Sequence, residues 1–114
     1  MNEFKTLNSI YETGGKGYEG SFTITGANES PWILLPVGVS FFSVTLKVDS
    51  GSAKVQSCSD MQVTIKNDTP TAIIDSPIGV VTTGLIKSGV TYQDSALRVV
   101  GLSADCNATI YIRG

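Results

Sequence analysis

Histidine is absent from this chain, which removes the Ser-His-Asp and Cys-His arrangements of nucleophilic catalysis and the imidazole ligands of ordinary zinc sites. Cysteine occurs only twice, at Cys58 and Cys106, too few for a disulfide framework and without the close spacing of a metal knuckle. Both lie in or beside strand-like runs, so two buried or half-buried thiols are expected in preference to a disulfide. Charge is also scarce, at 16% of residues, and the eight basic side chains are scattered singly from Lys5 to Arg113. No basic patch exists to neutralise adjacent phosphates, so nucleic acid is not an expected partner. No apolar run reaches the roughly 20 residues of a membrane span, and a membrane is not expected either. The N-terminus "MNEFKTLNSIYETGG" lacks the basic start and apolar stretch of a signal peptide, which leads to an expectation of synthesis in a cytoplasm. No glycine-rich loop precedes a helix, so no phosphate cradle is predicted.

Acidic residues offer no obvious chemistry. Asp49, Asp60, Asp68, Asp75, Asp94 and Asp105 fall in turn-like segments, where aspartate ordinarily bonds its own backbone. No carboxylate pair stands out, and the expectation is a protein that is not an enzyme and carries no cofactor or metal.

What is present is a chain of 114 residues, 41% hydrophobic, with a net charge of −2, the size of one domain with one core. From Ser21 onward, runs rich in Val, Ile, Thr and Phe alternate with Gly, Pro, Asn, Asp and Ser clusters. Strands are predicted near 20–25, 31–36, 39–48, 52–58, 61–66, 71–74, 79–87, 95–101 and 107–113. The clearest is "VSFFSVTLKV", where Phe42, Val44, Leu46 and Val48 share one face and Ser43, Thr45 and Lys47 the other. "DSGS" at Asp49–Ser52 reads as a tight hairpin turn, and "GLSADCN" as a second hairpin joining the last two strands. With no crossover helix, the expected fold is all-β: an antiparallel β-sandwich, jelly-roll or immunoglobulin-like, spanning residues 21–114. Arg98, the one charge inside a strong strand, is assigned to a solvent-facing position in preference to a buried or interfacial ion pair. Trp32, the sole tryptophan, sits in the proline-bracketed run "PWILLP" and is expected to pack in a core or form part of a contact surface.

Residues 1–20 form a separate N-terminal arm. Phe4, Leu7, Ile10 and Tyr11 recur at helical spacing up to Gly14 and Gly15, predicting a short helix, with an extended arm as the alternative. About ten residues of helix are marginal alone. The apolar stripe is therefore expected either to dock on a neighbouring subunit or to pack back on its own sandwich. Phe4, Leu7, Ile10, Tyr11 and Trp32 are the candidate interface residues.

The segments "DSGSAKVQ" at 49–56, "SALRVV" at 95–100 and "ATIYIRG" at 108–114 resemble small virion proteins of tailed bacteriophages, over roughly Trp32 to Gly114. That resemblance implies a β-sandwich of the capsid decoration, head-fibre or neck type, in which the late Ala-Leu-Arg-Val strand pairs with the terminal one. It further implies localisation in the virion, a capsid or other virion protein as partner, and a homo-oligomer, with a trimer favoured. The expected function is a capsid decoration or cement protein. The competing reading is a carbohydrate-binding module in which Trp32, Tyr92 or Tyr111 stack on sugar rings.

Overall fold

The computed structural model describes residues 4–6, 8–9, 18–36, 41–61, 70–92 and 94–114. Among them every regular element is a strand: β1 (Phe4–Thr6), β2 (Asn8–Ser9), β3 (Tyr18–Thr25), β4 (Trp32–Leu34), β5 (Phe41–Ser50), β6 (Ser52–Cys58), β7 (Ile73–Asp75), β8 (Val81–Thr82), β9 (Ile86–Tyr92), β10 (Ala96–Gly101) and β11 (Asn107–Arg113). They form two sheets packed as a β-sandwich. Sheet A runs β1-β4-β10-β6-β7, with β8 also on β6, and sheet B runs β2-β3-β11-β5-β9. All pairings are antiparallel except β1 on β4.

The period-2 pattern of β5 works as the sequence suggests: Phe42, Val44, Leu46 and Val48 are all buried, facing Ile33, Val55, Leu97 and Val99 of sheet A. Ala108, Ile110 and Ile112 of β11 complete the inner face of sheet B. Each large aliphatic side chain withdrawn from water contributes about 1.5–3 kcal/mol, so this alternation alone fixes which face of each strand turns inward.

Both predicted hairpins are instead corners between sheets. β5 lies in sheet B and β6 in sheet A, and likewise β10 in sheet A and β11 in sheet B. The expected pairing of the Ala-Leu-Arg-Val strand with the terminal strand is therefore corrected: β10 pairs β4 and β6, whereas β11 pairs β3 and β5. The reason is burial. Val48 and Ala53 on either side of the first turn, and Val99 and Ala108 around the second, reach water-free surroundings by facing each other across the core, which neighbours in one sheet cannot do. The two corners pack on one another. Gly51 has a φ of 73°, and a Cβ on it would meet Ser103 Oγ and lie 2.8 Å from Cys106 Cα.

The predicted helix is also corrected, and at the described residues the extended alternative holds. Phe4–Thr6 joins sheet A beside β4 and Asn8–Ser9 joins sheet B beside β3, both extended. The arm thus packs on its own sandwich at these residues; Leu7, Ile10 and Tyr11 lie outside the described residues, as do 62–66 of the strand predicted at 61–66. β3 begins at Tyr18, so the sandwich takes in the last residues of the segment assigned to the arm. The strand predicted at 79–87 is split, because Thr83 and the positive-φ Gly84 turn the chain between β8 and β9.

Candidate functional site

The side of the sandwich opposite the arm ends in β7 of sheet A and β9 of sheet B. β9 pairs with β5 in unbroken register, Phe41 opposite Tyr92 through Lys47 opposite Ile86. Residues directly opposite share a face, so Lys87, Gly89 and Thr91 share the inner face with Leu46, Val44 and Phe42. Those three contribute little apolar bulk, and the core gapes between the two edges. The resulting cleft of about 250 Å³ has Val44, Val55 and Leu97 among its lining residues, with Ile74, Pro77, Val90 and Tyr92 beside them. The loop after β7 narrows it: a Cβ at Gly89 would lie 3.1 Å from Ile78 Cγ1.

Asp94 lines the same cleft. Its carboxylate accepts a hydrogen bond from the Thr91 hydroxyl. Burial pushes the Asp94 carboxyl above the usual carboxylate range, against a hydrogen bond from Ser59 that favours the ionised form. No cation lies within ion-pair distance of it among the described residues.

The other face of β9 carries Ile86, Val90 and Tyr92, exposed by 62%, 47% and 68%. Phe41 pairs with Tyr92, their rings 6.2 Å apart, and Tyr111 on β11 lies two strands inward. These five exposed large side chains share the outer face of sheet B with Ser21, Thr23, Ser43, Thr45, Ser88 and Thr109. Lys47, Glu19 and Arg113 stand on this face too, so it is a hydroxyl-rich surface with a few exposed charges and an apolar margin at the β9 edge.

Trp32 lies on the outer face of sheet A yet is only 4% exposed, forming a second small core with Cys58 and Ala96. The Arg98 guanidinium stands 4.5 Å from the centre of the Trp32 ring. It donates Nε and Nη2 to Gln56 Oε1, at 2.9 and 2.8 Å, and Nη1 to Glu29 Oε2 at 2.9 Å. Gln56 Nε2 in turn donates to Asp75, which also accepts from Lys54. The solvent-facing assignment of Arg98 is corrected to a half-buried ion pair, because the indole ring beside it draws the guanidinium flat against the sheet. Of the candidate interface residues, Trp32 is thus covered within the chain. Phe4 lies in β1, opposite the backbone of Trp32.

Both cysteines are buried and unbonded. Cys58 donates its thiol proton to Asp60 Oδ1 at 3.0 Å, and burial together with this bond raises its pKa to about 11. Asp60 also accepts from the Thr71 and Ala72 backbone N–H groups and is held well below the usual carboxylate range by these donors, that of Cys58 foremost. The pair is a clasp on the loop ends, made of an inert thiol and a saturated carboxylate. Among the described residues, no three His, Cys, Asp or Glu side chains gather in a way that could hold a metal ion.

Sequence reasoning anticipated Trp32 and Arg98 as notable residues, but its strand at 79–87 reached only Ile86 and Lys87 of β9. The signal was there in "IKSGVTY", a proline-free alternating run whose inner positions are a lysine, a glycine and a threonine, the composition of an edge.

No protein-family model matches the chain, and no curated protein matches it in sequence. Solved structures share its fold. A structure of Bacillus endospore appendages, described as a family of disulfide-linked pili, superposes with a TM-score of 0.50 at 19% identity, covering 99% of this chain and 91% of that one. An oxalate oxidase gives 0.50 at 10% identity over 85% of this chain and 41% of that one. The cupin domain of Drosophila melanogaster CENP-C gives 0.49 at 11% identity, covering 95% and 75%. At such identities the likeness is one of fold, a β-sandwich of the jelly-roll kind.

Proposed function

We propose that this protein is a non-catalytic building block of a repetitive protein surface, acting as a capsid decoration or cement protein on a phage particle. The observation that carries this is the outer face of sheet B, where Phe41, Ile86, Val90, Tyr92 and Tyr111 stand exposed at and near a sheet edge that is unpaired among the described residues. Exposed apolar side chains grouped in this way mark a contact with other protein. The setting is supported by the sequence resemblance of 49–56, 95–100 and 108–114 to small phage virion proteins. A homo-oligomer would multiply weak contacts into stable attachment.

A second reading, a subunit of an extracellular filament, is favoured by the pilus structure whose fold this chain matches over nearly its full length. In this chain a disulfide link would have to draw on Cys58 or Cys106, both buried, so such a filament would be held without disulfides. The carbohydrate-binding reading loses Trp32 as a stacking platform, since Arg98 and the second core cover it, and retains only Tyr92 and Tyr111.

The test is co-sedimentation of the purified chain with capsids of the phage that encodes it, with electron microscopy of the chain alone. Saturable capsid binding that is lost in Tyr92→Ala with Phe41→Ala supports the first reading. Regular filaments without capsids support the second, and dispersed protein that binds neither overturns both.

A further inference from the structure

Among the described residues five strands end the two sheets, and four are short: β1, β2, β7 and β8 have three, two, three and two residues. β9 has seven, contains no proline and runs without a bulge against β5. Short strands, prolines, bulges and charges are the usual guards of an edge, and β9 has only Lys87. That lysine is the key to the edge. It is exposed, shares the inner face with Leu46, and among the described residues with described side chains it is the cation with no ion pair; the others engage Asp49, Asp75, Glu29 and Glu19.

We infer that β9 pairs antiparallel with β9 of a second copy about a two-fold axis at Gly89, with Lys87 of each copy reaching the Asp94 carboxylate of the other. In this register Ile86 lies opposite Tyr92, Lys87 opposite Thr91, and Ser88 opposite Val90 of the second chain. The outer face then places an aliphatic beside an aromatic at both ends, next to the existing Phe41–Tyr92 pair. The inner face brings each lysine against Thr91, whose hydroxyl is already bonded to Asp94. A half-buried carboxylate without a cation and a cation without a carboxylate complete one another twice. A self-pairing centred on Ser88 would put Lys87 opposite Gly89, and one centred on Val90 would carry it past Thr91. Only the Gly89 centre joins the two charges. At the axis, glycine opposite glycine leaves room for the paired backbones above the Ile78 side chain.

Pairing joins the two copies of sheet B into one continuous sheet and closes the cleft mouths toward each other. The inference rests on the building-block reading, but its test is separate, because it is made on the free chain without particles. Sedimentation equilibrium of the full chain is expected to show a monomer–dimer transition. Lys87→Glu and Asp94→Lys should each weaken it about tenfold or more, and the double variant should recover most of the loss. In a mixture of one chain bearing Ser88→Cys and another bearing Val90→Cys, mild oxidation should give the mixed cross-linked dimer in preference to either homodimer. A wild-type monomer at all concentrations, a dimer indifferent to both charge reversals, or open-ended growth in place of a closed dimer would overturn the pairing. Capsid binding by a monomeric Lys87→Glu variant would leave the building-block reading standing while still locating dimerisation at β9.

Discussion

Replacing Arg98 by alanine should loosen the whole outer face of sheet A. The side chain is 17% exposed and its guanidinium lies 4.5 Å from the Trp32 ring centre, a largely desolvated cation–π contact worth about 2 kcal/mol. The ion pair to Glu29, itself 56% exposed, adds under about 1 kcal/mol. Gln56 Oε1 loses two donors at 2.9 and 2.8 Å, but Gln56 is only half-buried and water can replace them, so this loss is about 1 kcal/mol at most. The total is about 2–4 kcal/mol, or a fall of about 8–15 °C in melting temperature for a domain of this size. Arg98→Lys keeps the charge yet has no planar fork to grip Gln56 while lying on the ring, and should recover less than half of the loss. Because Trp32 is the only tryptophan, its emission reports the site directly: acrylamide quenching should rise in Arg98→Ala as the ring face opens to solvent. A melting temperature within about 2 °C of wild type, or full rescue by lysine, would refute the assignment of Arg98 as the lid of the second core.

Three further outcomes are expected. Gly101→Ala should destabilise by about 2–4 kcal/mol in denaturant titration, because its Cβ would strike the Gly26 carbonyl and press on Asn28 N at 3.3 Å, both backbone, whereas Gly84→Ala, with open space around it but a φ of 79°, should lose only about 1 kcal/mol. The raised pKa of Cys58, about 11 against 9.0 for a free thiol, means the unfolded chain ionises first as pH climbs. The thiol's contribution is therefore complete below pH 9, is lost between 9 and about 11, and amounts to about 2 kcal/mol; Cys58→Ala should flatten that limb of the stability–pH curve relative to wild type. Deleting residues 1–9 should lower stability by about 1–3 kcal/mol, at about 1 kcal/mol per hydrogen bond of β1 and β2, and an unchanged melting curve would show that the arm does not belong to the sandwich.

The all-β class and most strand positions were legible because burial writes period 2 into a half-buried strand: β5, β6, β10 and β11 each lie within two residues of the predicted bounds. Which strands become neighbours was not legible. "DSGS" and "GLSADCN" carry turn chemistry that serves a hairpin or a corner equally well, and the choice is made by side chains across the core, distant in sequence. Phe4 shows the opposite failure, where an apolar residue placed on a helical stripe lies instead in Phe4–Thr6, which extends a sheet. β9 was blurred because its inner positions are not apolar, and that departure from the core pattern is what makes it an edge. Arg98 and Trp32 illustrate a third limit: each was noticed alone, but a stacked pair exists only once β4 lies beside β10.

The position of β11 at the centre of sheet B sets an order on biosynthesis. β3 is made before β5, β9 and β11, yet its long partner is Asn107–Arg113, and β5 needs the same strand on its other side. Until those seven residues emerge, β3 has among the described residues only the two-residue β2 beside it, and β5 only β9. Sheet B therefore assembles around its latest-made strand, and the earlier ones wait with their apolar faces open. Such distant pairing slows folding and prolongs exposure of the β9 edge to other nascent copies. Where many copies are made at once, neighbours on one polysome are the first partners that edge encounters.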